Sequence, residues 1–118
     1  MGLTFYHYPK CGTCRKAKNW LDNNEVSYEE INLVENPPEK EQLREMYRES
    51  GLPIRRFFNT SGKKYRELGL KDKIGESSEE ELLELLASDG MLIKRPLATD
   101  GENITLGFKE KTYEEAWK

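Results

Sequence analysis

Leu3-Thr4-Phe5-Tyr6-His7-Tyr8-Pro9-Lys10-Cys11-Gly12-Thr13-Cys14 holds both cysteines of the chain and decides its fold. The run Leu3 to Tyr8 is aromatic and β-prone, and reads as a strand. From Arg15 to Asn24, Ala17, Trp20 and Leu21 recur at helical spacing on one face. The C-x-x-C therefore lies in a strand-to-helix turn, with Cys11 at or just before the helix N-terminus. Unpaired backbone N–H groups and the positive end of the helix dipole both favour a thiolate there. Lys10, Arg15, Lys16 and Lys18 add positive charge to the same stretch. This context predicts a depressed thiol pKa and redox chemistry.

Other readings of the pair are weaker. A structural zinc site needs four Cys or His ligands, and the chain has two cysteines and one histidine. A disulfide across two intervening residues closes almost no loop and removes little unfolded-state entropy. Two cysteines packed as small hydrophobes remain the bland alternative.

Composition bounds the rest. A chain of 118 residues forms one domain over 1–118, large enough to bury a core without staples. A net charge of −3 offers no general attraction to nucleic acid or to an anionic membrane, so neither is expected as a partner. No apolar run approaches a membrane span or a signal-peptide core. A lone C-x-x-C fits a reducing compartment, which points to the cytoplasm.

Outward from the opening stretch, Val26 to Val34 resumes a strand pattern. Strand, helix and strand in succession imply a parallel pair. Asn36-Pro37-Pro38-Glu39 reads as a helix start, with Asn36 as the cap, and that helix buries Leu43, Met46 and Tyr47 before Gly51. Pro53 to Phe58 is a short helix or turn, Asn59 to Gly62 a loop, and Tyr65, Leu68 and Leu70 anchor a helical turn. Ser77-Ser78-Glu79-Glu80-Glu81 carries a capping box and opens a helix with Leu82, Leu83, Leu85 and Leu86 inward. Its acidic residues read as a solvated face. Met91 to Lys94 is expected as a strand, Asp100-Gly101 as a turn, Ile104 to Phe108 as the returning strand of a hairpin, and Tyr113 to Trp117 as a terminal helix. The order is β-α-β, a helical insertion over roughly 36–90, then β-β-α. That is an α/β, thioredoxin-like arrangement with a mixed sheet of about four strands.

Pro96, directly after the expected strand, removes a ladder donor. In thioredoxin-like folds that place holds a cis proline facing the C-x-x-C, so a cis Arg95–Pro96 bond is expected. The residue beside it can then offer its backbone to a substrate. Arg95 would bring a permanent charge toward Cys11, stabilising a thiolate or an anionic adduct; the alternative is an exposed strand-end arginine. His7, four residues before Cys11, is either a structural strand-end histidine or a group that orients the turn and helps hold the thiolate.

With Tyr6 to Cys14 and Arg95-Pro96-Leu97 in hand, the chain resembles the arsenate reductase (ArsC)/Spx family over nearly its whole length. It is most similar to the small YffB-like members with a C-x-x-C. The likeness includes Glu35-Asn36-Pro37-Pro38, Tyr65-Arg66-Glu67-Leu68-Gly69-Leu70, Ile93-Lys94-Arg95-Pro96-Leu97 and Leu106-Gly107-Phe108. The resemblance implies that Cys11 matches the nucleophile of glutaredoxin-linked arsenate reductases, His7 their upstream histidine, and Arg95 one of their oxyanion arginines. Two further arginines have no counterpart, Asn59 standing at one place and Thr105-Leu106-Gly107 lacking the other. Cys14 stands where those enzymes commonly have a serine. Spx regulators, in turn, use their C-x-x-C as a disulfide switch while binding the C-terminal domain of the RNA polymerase α subunit.

Three functions are therefore expected, in order. The first is a cytoplasmic thiol–disulfide oxidoreductase in which Cys11 attacks, Cys14 resolves and Arg95 stabilises charge, with Gly12, Thr13, Pro96 and His7 lining the substrate site. It would hold no bound cofactor, and a low-molecular-weight thiol, glutaredoxin or thioredoxin would supply electrons. The second is a redox-switched regulator binding the polymerase α subunit. The third is an arsenate reductase.

Overall fold

The structure, a computed structural model, describes residues 2–117. In chain order the elements are β1 (Leu3–His7), α1 (Gly12–Asn23), β2 (Tyr28–Asn32), α2 (Lys40–Ser50), α3 (Lys63–Glu67), α4 (Leu70–Lys73), α5 (Glu79–Ser88), β3 (Leu97–Thr99), β4 (Ile104–Leu106) and α6 (Glu110–Trp117). Short 3-10 turns cover Ile54–Phe57 and Gly90–Leu92. Two compact units share these elements: one runs to Asn32 and resumes at Arg95, and the other is Leu33–Lys94.

The first unit carries the sheet, in the order β2-β1-β3-β4. β1 pairs parallel with β2 and antiparallel with β3, and β3 pairs antiparallel with β4. This mixed four-stranded α/β sheet is the thioredoxin-like arrangement expected. Alternation along β1 turns Leu3 and Phe5 to one face, where they meet Ala17, Trp20 and Leu21 of α1, Ala98 of β3 and Tyr113 of α6. Tyr113 takes Trp20 and Phe108 edge-on, at 5.5 Å and 4.8 Å between ring centroids. Each large apolar side chain buried here stabilises the unit by roughly 1.5–3 kcal/mol before chain entropy is subtracted. The hairpin turn between β3 and β4 is closed by Asp100, whose carboxylate accepts from the backbone N–H of Glu102 at 2.9 Å and of Asn103 at 2.7 Å.

In the second unit the helix boundaries follow local chemistry. Glu39, not Asn36, caps α2; its backbone N–H donates to the Gln42 side chain at 2.9 Å. The helix stops at Gly51, in the left-handed region at φ 65°. Leu43 and Met46 are buried and Tyr47 is half-buried. Ser78 and Glu81 form the expected capping box of α5, bonding reciprocally at 3.1 and 3.2 Å. Leu82, Leu83 and Leu86 point inward and Leu85 is half-buried.

The expected strand at Met91–Lys94 is absent. The Asp89 carboxylate accepts from the Met91 N–H at 2.9 Å and turns the chain into the 3-10 segment. Only Ile93 keeps a bridge, antiparallel to Phe58. The true strand begins one residue past Pro96, because proline has no N–H for the ladder. Among the described residues no helix is long and apolar enough to cross a membrane.

Candidate active site

The site belongs wholly to the sheet-bearing unit and is assembled from two places in the chain. After β1 the backbone turns at Tyr8–Lys10, and the Tyr8 carbonyl accepts from the Cys11 N–H at 3.0 Å. Cys11 is the N-cap of α1, with extended φ −92° and ψ 116°, and its sulfur accepts from the Cys14 N–H at 3.3 Å. Sulfur thus occupies the place a serine or aspartate oxygen takes at an ordinary helix start. No acidic residue stands in the first turn of α1 to compete with it.

The two thiols are unequal. Cys11 is partly exposed and Cys14 is 1 % exposed; both are free. Partial burial pushes the Cys11 pKa up. The Cys14 thiol and N–H donating to its sulfur, and then the charge and N–H donors of Arg95, pull it down further, so it ends below the ordinary 9.0. Burial pushes Cys14 up to about 12, reinforced by the hydrogen bond and charge of Cys11 and opposed by the Tyr8 backbone N–H and by Arg95. One sulfur is favoured as a thiolate while its neighbour holds its proton, an asymmetry that would suit attack by the first and resolution by the second.

Arg95 arrives at the other end of the inserted unit, immediately before β3. The Arg95–Pro96 bond is cis, as expected, and Pro96 is buried, its carbonyl accepting from the Gly107 N–H at 2.9 Å. The Arg95 guanidinium lies over the Tyr8 ring, 5.2 Å from its centroid, and reaches the Cys11 sulfur. Gly12 and Thr13 are exposed in the first turn of α1, and a methyl added at Gly12 would meet open space. His7 is engaged elsewhere: it stacks on Phe5 at 5.5 Å, and its Nε2 lies 3.5 Å from Glu30. Burial lowers its pKa against the pull of Glu30, with Lys18 lowering it further. Lys18 itself is committed to Glu30 at 2.7 Å.

The structure therefore brings Cys11, Cys14 and Arg95 together with Pro96 adjoining, and sets His7 in a Phe5–Glu30 cluster. It adds Tyr8, which touches all three reactive partners: Cys11 through its carbonyl, Cys14 through its N–H, and Arg95 through its ring. In the sequence Tyr8 reads only as one more β-prone aromatic. Nothing local signals its pairing with residue 95. Among the described residues no group of three or more His, Cys, Asp or Glu could hold a metal ion.

A thioredoxin-like sheet with a C-x-x-C capping its first helix and a cis proline before its third strand defines a class of small α/β proteins. Within that class the chain belongs to the ArsC family, whose model matches residues 6–116. It is 63 % identical to the protein YusI of Bacillus subtilis over 117 residues, 99 % of each chain. It is 31 % identical over 108 residues to the global transcriptional regulator Spx of Streptococcus agalactiae, covering 92 % of this chain and 77 % of that one. Among solved structures, an ArsC-family-related protein of Bacteroides fragilis superposes with a TM-score of 0.94 at 43 % identity, over 98 % of this chain and 97 % of that one. The fold is the one that arsenate-reductase-like proteins and Spx-like regulators share.

Proposed function

We propose that the protein is a cytoplasmic thiol–disulfide oxidoreductase in which Cys11 attacks and Cys14 resolves. The observation that carries this reading is the asymmetry of the pair: a partly exposed, acidified sulfur at a helix cap beside a buried, protonated one. The Cys11 thiolate attacks one sulfur of a substrate disulfide. A Cys11–substrate mixed disulfide forms and the other half leaves as a thiolate, which takes up a proton. Attack neutralises Cys11, and with it go the charge and hydrogen bond that had held the Cys14 proton in place. Cys14 then loses that proton more readily and attacks Cys11. The second substrate thiolate leaves, and a Cys11–Cys14 disulfide remains. Substrate has gained two electrons and the cysteine pair has lost them. Two equivalents of a low-molecular-weight thiol, or the dithiol of glutaredoxin or thioredoxin, restore the pair by the reverse exchange.

Arg95 stabilises the attacking thiolate, Gly12 and Thr13 supply exposed surface a substrate would meet, and the buried Pro96 shapes the backbone beside it. Mass spectrometry after treatment with a low-molecular-weight disulfide tests the scheme. The Cys14→Ser variant retains one adduct on Cys11, whereas the wild type releases it and ends two hydrogen atoms lighter. Failure to trap an adduct refutes the resolving role.

Likeness to Spx favours a second reading, a redox-dependent contact with the C-terminal domain of the RNA polymerase α subunit. Capture of that domain by only one redox form of the chain would support it. Equal, negligible capture by both forms would exclude it. Arsenate reduction stands third, favoured by membership of the ArsC family and weakened because two of the expected oxyanion arginines have no counterpart.

A further inference from the structure

Tyr8 contacts every reactive partner of the site, and its ring lies against Arg95. Its carbonyl and N–H would be present whatever residue stood there, so they say nothing about a tyrosine. The ring is different. The Arg95 guanidinium sits over its face at 5.2 Å from the centroid, well inside the roughly 6 Å range in which an aromatic quadrupole attracts a cation. A guanidinium carries its N–H donors in its own plane and its weakly hydrated faces above and below. Holding it by a face leaves in-plane donors free to reach sulfur. The arginine side chain is long and rotamer-rich, and a contact on one face narrows the orientations it samples.

We propose that Tyr8 is a positioning residue, whose ring clamps the Arg95 guanidinium beside the Cys11 sulfur and so sets the acidity of that thiol through the arginine. The proposal rests on the reading of Cys11 as the attacking thiolate and adds the residue that tunes it. Tyr8 touches neither substrate nor the bond being broken in this scheme. Besides Arg95, the group that shifts the Cys11 thiol is Cys14, and the sequence neighbours Lys10, Arg15 and Lys16 are exposed. All of them stay in place when the ring is removed, so a ring-specific effect must pass through Arg95.

The test is a double-mutant cycle read on the Cys11 pKa, by thiolate absorbance against pH in the full chain, with no substrate or turnover involved. The variants are Tyr8→Leu, Tyr8→Phe, Arg95→Ala and the Tyr8→Leu/Arg95→Ala pair. Tyr8→Leu is expected to raise the Cys11 pKa by about half a unit, a threefold weaker acid, from the ordinary size of a cation–π contact. Tyr8→Phe keeps the ring face and leaves the value within about 0.2 of wild type. In the Arg95→Ala background, Tyr8→Leu should cause no further rise. If Tyr8→Leu does not fold, Tyr8→Trp carries the opposite sign, because the larger ring holds a cation better and should keep the pKa at or below wild type.

A rise that survives in the Arg95→Ala background overturns the proposal, since the ring would then act without the arginine. So does an unchanged pKa in Tyr8→Leu, or a Tyr8→Phe variant that behaves like Tyr8→Leu. Failure of the oxidoreductase reading looks different. There the wild-type thiol titrates at the ordinary value and Arg95→Ala moves nothing.

Discussion

Replacing Cys14 by alanine isolates what the second cysteine contributes to the first. The structure ranks the Cys14 thiol ahead of Arg95 among the groups that lower the Cys11 pKa. Alanine removes that donor and leaves the residue-14 N–H, 3.3 Å from the Cys11 sulfur, where it is. A hydrogen bond to a charged acceptor contributes about 1.5–3 kcal/mol. A thiol is a weak donor, so the lower figure applies and the expected rise is about one pKa unit, a tenfold weaker acid. Serine keeps a donor but, on a shorter bond, sits farther back, and the rise should be less than half as large. Both variants carry a single thiol, so alkylation rate or ultraviolet absorbance against pH reads Cys11 alone. The Arg95→Ala shift measured alongside should be smaller than the Cys14→Ala shift. If Cys14→Ala left Cys11 within about 0.3 units of wild type, the reasoning would fail, and the acidity would have to come from the helix end and the arginine.

Other outcomes follow from the same geometry. Stability of the reduced protein should depend on pH with opposite signs on either side of the ordinary thiol pKa of 9.0. Cys11, depressed in the fold, contributes stability that is present above that value and lost as pH falls through its folded pKa. Cys14, raised to about 12, contributes stability that is full below 9.0 and lost as pH climbs toward 12. Denaturant midpoints of the dithiol form should therefore carry a cysteine-dependent maximum near that pH, absent from a double-alanine variant. Gly90→Ala should destabilise by about 1–3 kcal/mol in urea unfolding, since the new methyl would lie 2.1 Å from the Leu33 carbonyl oxygen, which is backbone and cannot swing aside. Among the described residues the buried Tyr113 hydroxyl makes no hydrogen bond of full geometry, although the Thr105 side chain interacts with it. Tyr113→Phe should be neutral or stabilising by about 1 kcal/mol, and a loss of that size would show that the hydroxyl is satisfied after all.

How much of this was legible in the sequence depended on how local the cause was. The cap at Cys11, the helix it opens and the capping box at Ser78 are set by residues within a few positions, and each was readable. The cis proline was legible only through the architecture it belongs to. Met91 to Lys94 was misread because a short apolar run carries no period of its own. The deciding group was the Asp89 carboxylate, which bends the backbone before a ladder can start. Asn36 is a better capping residue than Glu39 by preference, yet the reciprocal bond from Gln42 fixes the boundary three residues later. The electrostatics were legible in sign but not in source. Lys18 looked like support for the thiolate and is bound to Glu30, while the charge that reaches Cys11 comes from Arg95, held by a ring no sequence rule would have singled out.

The pairing of β1 with β3 has a temporal consequence. β1 and Cys11 leave the ribosome before Leu33–Lys94, and all of that unit must be made before Arg95 and β3 follow. An isolated helix as short as α1 is marginal in water, so even its cap is poorly formed on the nascent chain. Until the long loop closes and β3 docks beside β1, Cys11 is an ordinary thiol with no guanidinium beside it. The pull of Arg95 on its sulfur is acquired only after residue 95 has been made and β3 has docked. A sulfur that stays ordinary until then is less open to premature oxidation and stray conjugation during translation.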